Sequence, residues 1–232
     1  MVMTMMSRTA GNDAGKPVRG ERAHATRELI LTAAERLFAE HGVFAVSNRQ
    51  VSEAAGQGNN TAVGYHFGTK IDLVRAIARR HSAPIEELRQ RMVAEIGAST
   101  DVRDWVACLV RPVAEHLAAM GSPTWFARFG AQVMTDPALR PIMVEESQSS
   151  PSVVRIVDEL NRCLPDLPAD VHAERSDMAR QLLVHMVAER ERALAEGTPT
   201  PRASWHDAAT GLIDALVGLW LAPVTAPSRP GE

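Results

Sequence analysis

The sequence has little cysteine, few aromatic residues and no long apolar run. Two cysteines, Cys108 and Cys163, occur in 232 residues, which excludes a disulfide framework and a zinc site built from paired cysteines. We expect each to be a small buried side chain. No stretch of 18 apolar residues is present, so no membrane-spanning helix is predicted. The first ten residues lack the apolar segment of a secretory signal, and we expect a soluble cytoplasmic protein.

Sequence motifs of enzymes are also lacking. The chain has no glycine-rich phosphate loop, no His-Glu-x-x-His and no Gly-x-Ser-x-Gly. The eight histidines are scattered, without an i, i+4 pair that resembles a metal site. We therefore expect no catalytic residues, no metal and no cofactor, and we predict that the protein is not an enzyme.

Net charge is small but unevenly distributed. The formal charge is −3, and with 45% hydrophobic residues this excludes the composition of a disordered chain. Residues 1–80 carry 11 basic and 7 acidic side chains, whereas residues 81–232 carry 14 and 21. A basic head on an acidic body indicates that the head faces a polyanion. Because small helical domains often carry such a charge by chance, a motif is needed to decide.

The residue pattern predicts an all-α fold. Good helix formers dominate and no segment alternates with period two. A flexible basic arm is predicted at residues 1–20 and a disordered tail at 223–232. Between them the apolar periodicity and the capping residues predict helices at 23–41, 48–55, 60–66, from Thr69 through Ile77, and at 84–97, 102–120, 123–135, 137–147, 152–163, 176–195 and 204–221. Gly42 is predicted to follow the first helix in the left-handed conformation, and Thr69 with Asp72 is predicted to cap the fourth.

The second and third predicted helices are candidates for a helix-turn-helix. Ser47 and Gln50 form a capping box at the start of the second helix, and Gly56-Gln57-Gly58 ends it. The spacing is equally typical of a helical hairpin in any all-α bundle. The short third helix decides in favour of DNA binding, because its hydrogen-bonding side chains suit phosphate oxygens and base edges. These side chains are Asn59, Asn60, Thr61, Tyr65 and His66.

In these segments and the residues that flank them, the sequence resembles the tetracycline-repressor (TetR) family of bacterial transcription regulators. The resemblance covers residues 22–80 and lies in LFAEHG at 37–42, VSEAAG at 51–56 and YHFGTKIDL at 65–73. It implies an N-terminal three-helix DNA-binding domain with a helix-turn-helix, at residues 21–80. It also implies a C-terminal helical domain for ligand binding and dimerisation, at residues 81–222.

The resemblance further implies roles for single residues of the head. Tyr65 and His66 match positions that contact the DNA backbone, and Phe67 matches a core aromatic residue. Lys70 matches a lysine that contacts phosphate, where its charge adds to the positive end of the following helix. Arg49 is a further candidate for a phosphate contact. Base reading is expected among residues on or before the recognition helix, and which of them read bases stays open: Gln57, Asn59, Asn60, Thr61 and Gly64.

Two features of the head leave alternatives open. Gly64 stands where most family members have a bulky residue, and the segment from Gly56 to Phe67 is one residue longer than usual. The glycine either allows close approach of the backbone to DNA or is a neutral surface substitution. The arm, with Arg8, Lys16, Arg19 and Arg22, either enters a minor groove or only improves solubility.

The final two predicted helices carry apolar stripes. In the family these helices pack against their symmetry mates as a four-helix dimer interface, and a two-fold dimer fits a palindromic DNA site because each subunit reads one half. The predicted interface residues are Met178, Leu182, Met186, Leu212, Ile213, Leu216, Val217 and Trp220.

A ligand pocket is implied mainly by the resemblance. Aromatic and methionine side chains in the middle of the body suit an adaptable apolar cavity, although ordinary core packing explains each of them as well. The candidates are Trp105, Trp125, Phe126, Phe129, Met134 and His185. The expected function is that of a homodimeric transcriptional repressor that a small apolar ligand releases from a palindromic operator. The alternative is a ligand-independent, co-repressor or activator protein whose C-terminal domain binds another protein.

Overall fold

The computed structural model describes residues 19–59 and 61–225, and within these residues the chain forms ten α helices and no strand. The all-α prediction is therefore confirmed for this part of the chain. The helices are α1 (Arg19–His41), α2 (Asn48–Ala54), α3 (Ala62–Phe67), α4 (Lys70–Ile96), α5 (Val102–Met120), α6 (Phe126–Thr135), α7 (Arg140–Gln148), α8 (Pro151–Cys163), α9 (Ala169–Glu196) and α10 (Trp205–Leu221).

Local capping sets the helix ends in the head. Ser47 and Gln50 form the predicted capping box of α2, with the Ser47 amide 2.8 Å from the Gln50 side-chain oxygen. Thr69 and Asp72 cap α4 in the same way. Gly42 follows α1 with a φ of 86°, a conformation that costs glycine little because it has no Cβ. These short-range signals are confirmed.

Helix α4 is longer than the sequence predicts. It runs unbroken through Pro84, so the two predicted helices around that residue are one, and residue 80, the expected domain boundary, lies inside it. Proline removes one backbone hydrogen bond from the helix. Helix α4 packs on α1, α5, α7 and α8, and it has buried residues on both sides of Pro84, such as Ile77 and Val93.

Other helix ends also differ from the prediction. Helix α9 begins at Ala169 rather than at residue 176. Arg175 joins the first turns of α9 to the end of α10, because its guanidinium donates to the carbonyl oxygens of Trp220 at 2.8 Å and Ala222 at 2.7 Å. Arg19 belongs to α1 rather than to the arm, whereas Arg8, Lys16, Asn60 and the end of the predicted tail lie outside the described residues.

Two apolar clusters form the core. The first joins α1–α4 to α5, α6 and α7, and within it the rings of Phe38 and Phe129 stack with centroids 6.5 Å apart. The second lies between α4, α5, α8 and α10 and contains Trp105. Val187 and Trp205 pack against both clusters. The head therefore shares its core with the body.

The two cysteines lie in the body. Cys108 is buried as predicted, and burial raises the pKa of its thiol to about 11. Cys163 is only half-buried, with its sulfur 3.8 Å from the carbonyl oxygen of Ser99. Along the described chain, no helix combines the length and apolar character that crossing a membrane requires. The same residues contain no group of histidine, cysteine or acidic side chains arranged for a metal ion.

Candidate nucleic-acid interface

The helix-turn-helix consists of α2, the connecting segment 55–61 and α3. Both helices are short and are held by packing: Val51, Ala62 and Val63 are buried in the first core cluster. Helix α2 contacts α1, and α3 contacts α2 and α4. The opposite side of α3 faces solvent at Gly64 and Tyr65. The fold thus presents one side of a short helix on a rigid base.

Tyr65 is the most prominent side chain of this surface. It is 83% exposed, and its ring lies perpendicular to that of His66 with centroids 5.1 Å apart. His66 is half-buried beside Phe67, and Phe67 packs against the first core cluster as predicted. The guanidinium carbon of Arg27 lies 4.8 Å from the centre of the Phe67 ring. This stacking orients the C-terminal end of α3.

The candidate base-reading residues are partly engaged in local contacts. The side-chain oxygen of Asn59 accepts from the amide of Thr61 at 2.9 Å and from its hydroxyl at 2.7 Å. The amide nitrogen of Gln57 donates to the carbonyl oxygen of Ala55 at 3.0 Å. Asn59 and Thr61 remain exposed. Asn59 therefore keeps its amide N–H donors, the groups that an acceptor on a base edge requires.

Gly64 has no internal reason to be glycine. A Cβ built at this position meets no atom within 4 Å, and its φ is not positive. The surrounding space belongs to the exposed side of α3. The two interpretations of Gly64, close approach to DNA or a neutral substitution, therefore both stand.

Lys70 has an internal role that the sequence did not predict. Its ammonium donates to the carbonyl oxygens of Val43, at 3.2 Å, and Val46, at 2.5 Å. Burial lowers the pKa of Lys70. An ammonium has three N–H donors, and two of them bind the segment between α1 and α2. Contact with phosphate remains a prediction for the third donor.

Arg49 lies on the exposed side of α2. Its side chain is 72% exposed, and its Nε donates to a carboxylate oxygen of Glu53 at 2.7 Å, one turn further along the helix. Ion pairs at such exposed positions are weak because water screens them. A DNA phosphate can therefore compete with Glu53 for the guanidinium.

A basic groove between α1 and α4 was missed by the sequence analysis. It has a volume of about 520 Å³ beside the end of α3. His66 lines it, and its charged lining residues are four arginines and two acidic residues: Arg27, Arg75, Arg79, Arg80, Glu28 and Asp72. Two of the arginines reach carboxylates of α7, since Arg79 lies 2.8 Å from Glu146 and Arg75 lies 3.7 Å from Glu145. The i, i+4 spacing of Arg75 and Arg79 was the available signal.

A chain of polar side chains, buried at Glu35 and His81 and half-buried at His116, connects the head to the body. Nε2 of His81, on α4, lies 2.8 Å from a carboxylate oxygen of Glu35 on α1, and its Nδ1 lies 2.9 Å from Nε2 of His116 on α5. The His81 ring stacks on Phe126 with centroids 4.0 Å apart. Burial, and then the neighbouring His81, lower the pKa of His116 to about 4. We call these residues, Glu35, His81 and His116, the head–body polar chain.

The structure separates the residues predicted to bind a ligand. Trp105 is buried in the second cluster, where its indole N–H donates to the carbonyl of Ser99 at 2.9 Å. Phe126, Phe129 and Met134 are buried, and Trp125 is half-buried against the first cluster. His185 lies 3.1 Å from the side-chain oxygen of Gln181.

An apolar cavity of about 520 Å³ lies elsewhere in the body. It is bounded by α5, α9, α10 and the segment that joins α9 to α10. None of the predicted ligand residues within the described chain lines it. Their part in ligand binding stays a prediction. Its apolar lining includes Val110, Ala114, Leu182, Met186, Leu212 and Trp205.

The predicted dimer residues divide into two groups. Four of the five on α10 are buried within their own chain: Leu212, Ile213, Leu216 and Trp220. They belong to the second cluster, and α10 packs mainly on α5. Val217 and Leu182 are half-buried, whereas Met178 and Met186 are exposed. Within the single chain, the exposed apolar side chains of the predicted set therefore lie on α9, and the part of all eight residues in a dimer stays a prediction.

Family models match both parts of the chain. A model described as "Bacterial regulatory proteins, tetR family" matches residues 30–77, and one described as "Tetracyclin repressor-like, C-terminal domain" matches residues 107–218. The first match contains the helix-turn-helix, and the second extends from α5 to α10. The two matches together cover most of the described helices.

Individual proteins are also similar. The HTH-type transcriptional repressor AcnR of Corynebacterium diphtheriae is 32% identical over 156 residues, which are 62% of this chain and 72% of that protein. The repressor of the same name from Corynebacterium glutamicum is 38% identical over 69 residues, and the match spans 36% of its length and 30% of this chain. A crystal structure of a TetR family transcription regulator from Marinobacter aquaeolei VT8 has the same fold, with a TM-score of 0.61 and 12% identity over 86% of this chain and 97% of that one.

Proposed function

The chain belongs to the TetR family of DNA-binding transcriptional regulators, and from this premise we propose that it is a repressor that binds a palindromic operator as a homodimer and leaves it when a small ligand binds. As a member of this family it is a regulator and not an enzyme. The observation that carries the proposal is the exposed side of α3 within the matched helix-turn-helix. Repression is supported by the similar Corynebacterium proteins, which are named as repressors.

DNA reading is assigned to α3 in the major groove. Tyr65 projects from the exposed side of the helix, and Asn59 and Thr61 stand exposed at its start. Amide groups such as that of Asn59 pair with base edges, and hydroxyl groups suit phosphate oxygens. Arg49 on α2 and the arginines of the basic groove are the candidates for phosphate contacts, in exchange for the carboxylates that they contact within the chain. This arrangement positions α3 by phosphate contacts and leaves its first turn for the bases.

Homodimer formation is assigned to the outer side of α9 and α10. Met178 and Met186 are exposed on α9, where flexible thioether side chains suit packing against a second copy. Ala215 and Gly218 leave the facing side of α10 open for close approach. A two-fold dimer places two copies of α3 at the two halves of a palindromic site.

Release by a ligand requires two conformations of the dimer. A ligand that binds more tightly to a dimer whose heads are wrongly spaced for the operator shifts the population toward that form. A coupling free energy of about 1–3 kcal/mol changes operator affinity about 5- to 150-fold, and the operator must weaken ligand binding by the same factor. The core shared by head and body supports such coupling.

The test is binding of the purified full chain to the DNA that flanks its own gene. Fluorescence anisotropy is measured with unlabelled competitor DNA and at two salt concentrations. We expect competitor-resistant binding of two chains per site. The affinity should fall about a thousandfold or more between about 50 and 200 mM salt, because a dimer with six or more phosphate contacts displaces as many counterions from the DNA. Binding that competitor abolishes at every site tested would contradict the proposed function.

A further inference from the structure

The cavity between α5, α9 and α10 has apolar walls and one cationic end. Its volume of about 520 Å³ lies within the range of sites for small molecules. Val110 and Ala114 of α5 and Leu212 of α10 provide apolar surface. Arg190 and Arg202 are the cationic side chains of the lining.

Arg190 is a buried cation whose hydrogen bonds are incomplete. It is 9% exposed, and its guanidinium carbon lies 5.1 Å from the centre of the Trp205 ring. One terminal nitrogen donates to the carbonyl oxygen of Arg202 at 2.9 Å. Its Nε is buried and has no hydrogen-bond partner within residues 19–59 and 61–225. A buried donor without a partner costs free energy, and an acceptor from a ligand would relieve that cost.

A second guanidinium lies at the same end of the cavity. The side chain of Arg202 rests on Gly211, where an added Cβ would come within 3.4 Å of its terminal nitrogen. The acidic residue of the lining, Glu189, is exposed, and its carboxylate lies 3.5 Å from the guanidinium of Arg192. Arg190 also interacts electrostatically with Asp207, which lies in the first turn of α10 and accepts a hydrogen bond from the hydroxyl group of Ser204. Among the described residues that line the cavity, two are therefore cationic, Arg190 and Arg202, and one is acidic, Glu189.

We propose that this cavity is the effector site and that it binds an amphipathic carboxylate, a compact apolar body that carries one carboxyl group. The apolar body lies along the α5 and α10 walls, and the carboxylate accepts hydrogen bonds from Arg190, with Arg202 adding positive charge. The assignment rests on the proposed function, since it names the chemical class of the ligand that releases the repressor.

The position of the cavity connects it with the head. Val187 and Trp205 line the cavity and pack against both core clusters, and the first cluster contains the apolar side chains of α1–α4. A ligand that displaces either side chain therefore acts on the core of the helix-turn-helix. Leu182 and Met186 belong both to the cavity wall and to the proposed dimer surface, so pairing of two copies closes the cavity on that side.

The test is isothermal titration calorimetry on the full chain. Decanoate and 2-naphthoate serve as probes, the first with a flexible apolar body and the second with a flat aromatic one, and the methyl ester of each is the neutral control. We expect at least one acid to bind, and its ester to bind about tenfold more weakly or worse, because the ester offers no charge to the guanidinium. If one acid binds more tightly than the other, the difference shows whether the cavity accepts a flexible chain or a flat aromatic body.

Two variants and one control locate the site. Arg190→Gln is expected to weaken the acid about tenfold or more. Arg192→Gln removes the same charge from the adjacent, exposed part of α9 and is expected to bind like the unaltered protein. Because Arg190→Gln removes a buried contact and can disturb folding, a second variant is needed. Ala208→Leu leaves both arginines in place and fills the cavity. It is expected to abolish binding while circular dichroism shows an intact fold.

The possible outcomes separate this inference from the proposed function. Equal affinity for acid and ester, unchanged binding by a folded Arg190→Gln variant, or no binding of either acid at millimolar concentration would each overturn the inference. The last result together with competitor-resistant operator binding would leave the repressor proposal standing. Acid binding by a chain that binds no operator would support the site and contradict the proposed function.

Discussion

The imidazole of His81 lies 2.8 Å from the carboxylate of Glu35, and this buried contact joins α4 to α1 at the base of the helix-turn-helix. The other ring nitrogen of His81 lies 2.9 Å from His116 on α5. Both nitrogens are therefore engaged by residues from different helices. Because these hydrogen bonds are satisfied in a single arrangement of the three helices, they restrict the orientation of the head relative to the body.

The head–body polar chain predicts a loss of stability in mild acid. The pKa of His116 is lowered to about 4, whereas the pKa of histidine in an unfolded chain is near 6.5. Because the folded state favours the neutral imidazole, the contribution of this group is complete above about pH 6.5 and is lost as the pH falls toward 4. The loss amounts to about 3 kcal/mol at most.

The measurement is the free energy of unfolding in urea between pH 7.5 and 4.5. His116→Asn is expected to flatten this pH dependence, because it removes the group that takes up the proton. His24→Asn is the matched control, since His24 is exposed on α1. An unchanged slope in the His116→Asn variant would show that the pH dependence does not come from His116.

Glu191 is predicted to be a major stabilising residue of the body. Its carboxylate, from α9, accepts from the backbone amides of Ala127 at 3.1 Å and Arg128 at 2.9 Å, and from Nε of Arg128 at 3.2 Å. Helix α6 has no side-chain cap of its own at Trp125, so Glu191 satisfies its first amides. Glu191→Gln should lower the free energy of unfolding by about 3 kcal/mol, because Arg128 loses its buried partner.

The control for Glu191 is Glu189→Gln. Glu189 is exposed on the same helix, and its loss should change the free energy of unfolding by less than about 0.5 kcal/mol. Chemical denaturation of both variants is the measurement. Similar values for the two would show that the cap on α6 contributes little.

Tyr65 is predicted to act on DNA and not on folding. Because its side chain is 83% exposed, Tyr65→Ala should change the free energy of unfolding by less than about 0.5 kcal/mol. Operator affinity should fall about tenfold, as expected for the loss of a phosphate or base contact. Tyr65→Phe isolates the hydroxyl group. Full operator affinity in the alanine variant would remove Tyr65 from the interface.

Met186 is predicted to mark the dimer surface. Met186→Glu places a charge on an exposed apolar position of α9 and should convert the dimer into a monomer, because burying an unpaired carboxylate is costly. Met120→Glu is the matched control, since Met120 is also exposed but lies at the end of α5. Sedimentation velocity measures both. A dimer that survives Met186→Glu would place the interface elsewhere.

Much of the secondary structure was predictable because its signals are local. The capping boxes at Ser47 and Thr69 act over three residues, and both lie where the sequence predicts them. The bounds of α5 agree with the predicted range 102–120. Helix α4 was predicted as two pieces because Pro84 is a local signal of a helix start, whereas the contacts that carry the helix past it come from four distant helices.

The site was less predictable because periodicity shows which side of a helix is apolar but not what covers it. The stripe at Leu212 and Leu216 was predicted to face a second copy, yet these side chains pack within their own chain in the second cluster. The cavity was missed for the same reason. Its cationic residue Arg190 lies in a charged stretch of α9 that resembles a solvent-exposed surface, and only the packing against Trp205 makes it buried.

Lys70 provides the sharpest contrast between the family-based expectation and the geometry. A residue that only contacts phosphate would leave folding unchanged when replaced. In the structure its ammonium holds the carbonyl oxygens of Val43 and Val46, so Lys70→Met should lower the free energy of unfolding by about 1–3 kcal/mol without any DNA present, because both acceptors lose a charged donor. Arg49→Met is the control, since its side chain is 72% exposed and its ion pair with Glu53 is screened by water, so that no measurable loss of stability is expected. Urea denaturation decides between the two roles. An unchanged free energy of unfolding would mean that the carbonyl contacts contribute nothing to stability and that Lys70 acts on DNA alone.

The salt dependence of operator binding shows whether the third N–H of Lys70 also reaches DNA. If the slope of affinity against salt concentration falls by about one phosphate contact in Lys70→Met, the lysine also contacts DNA.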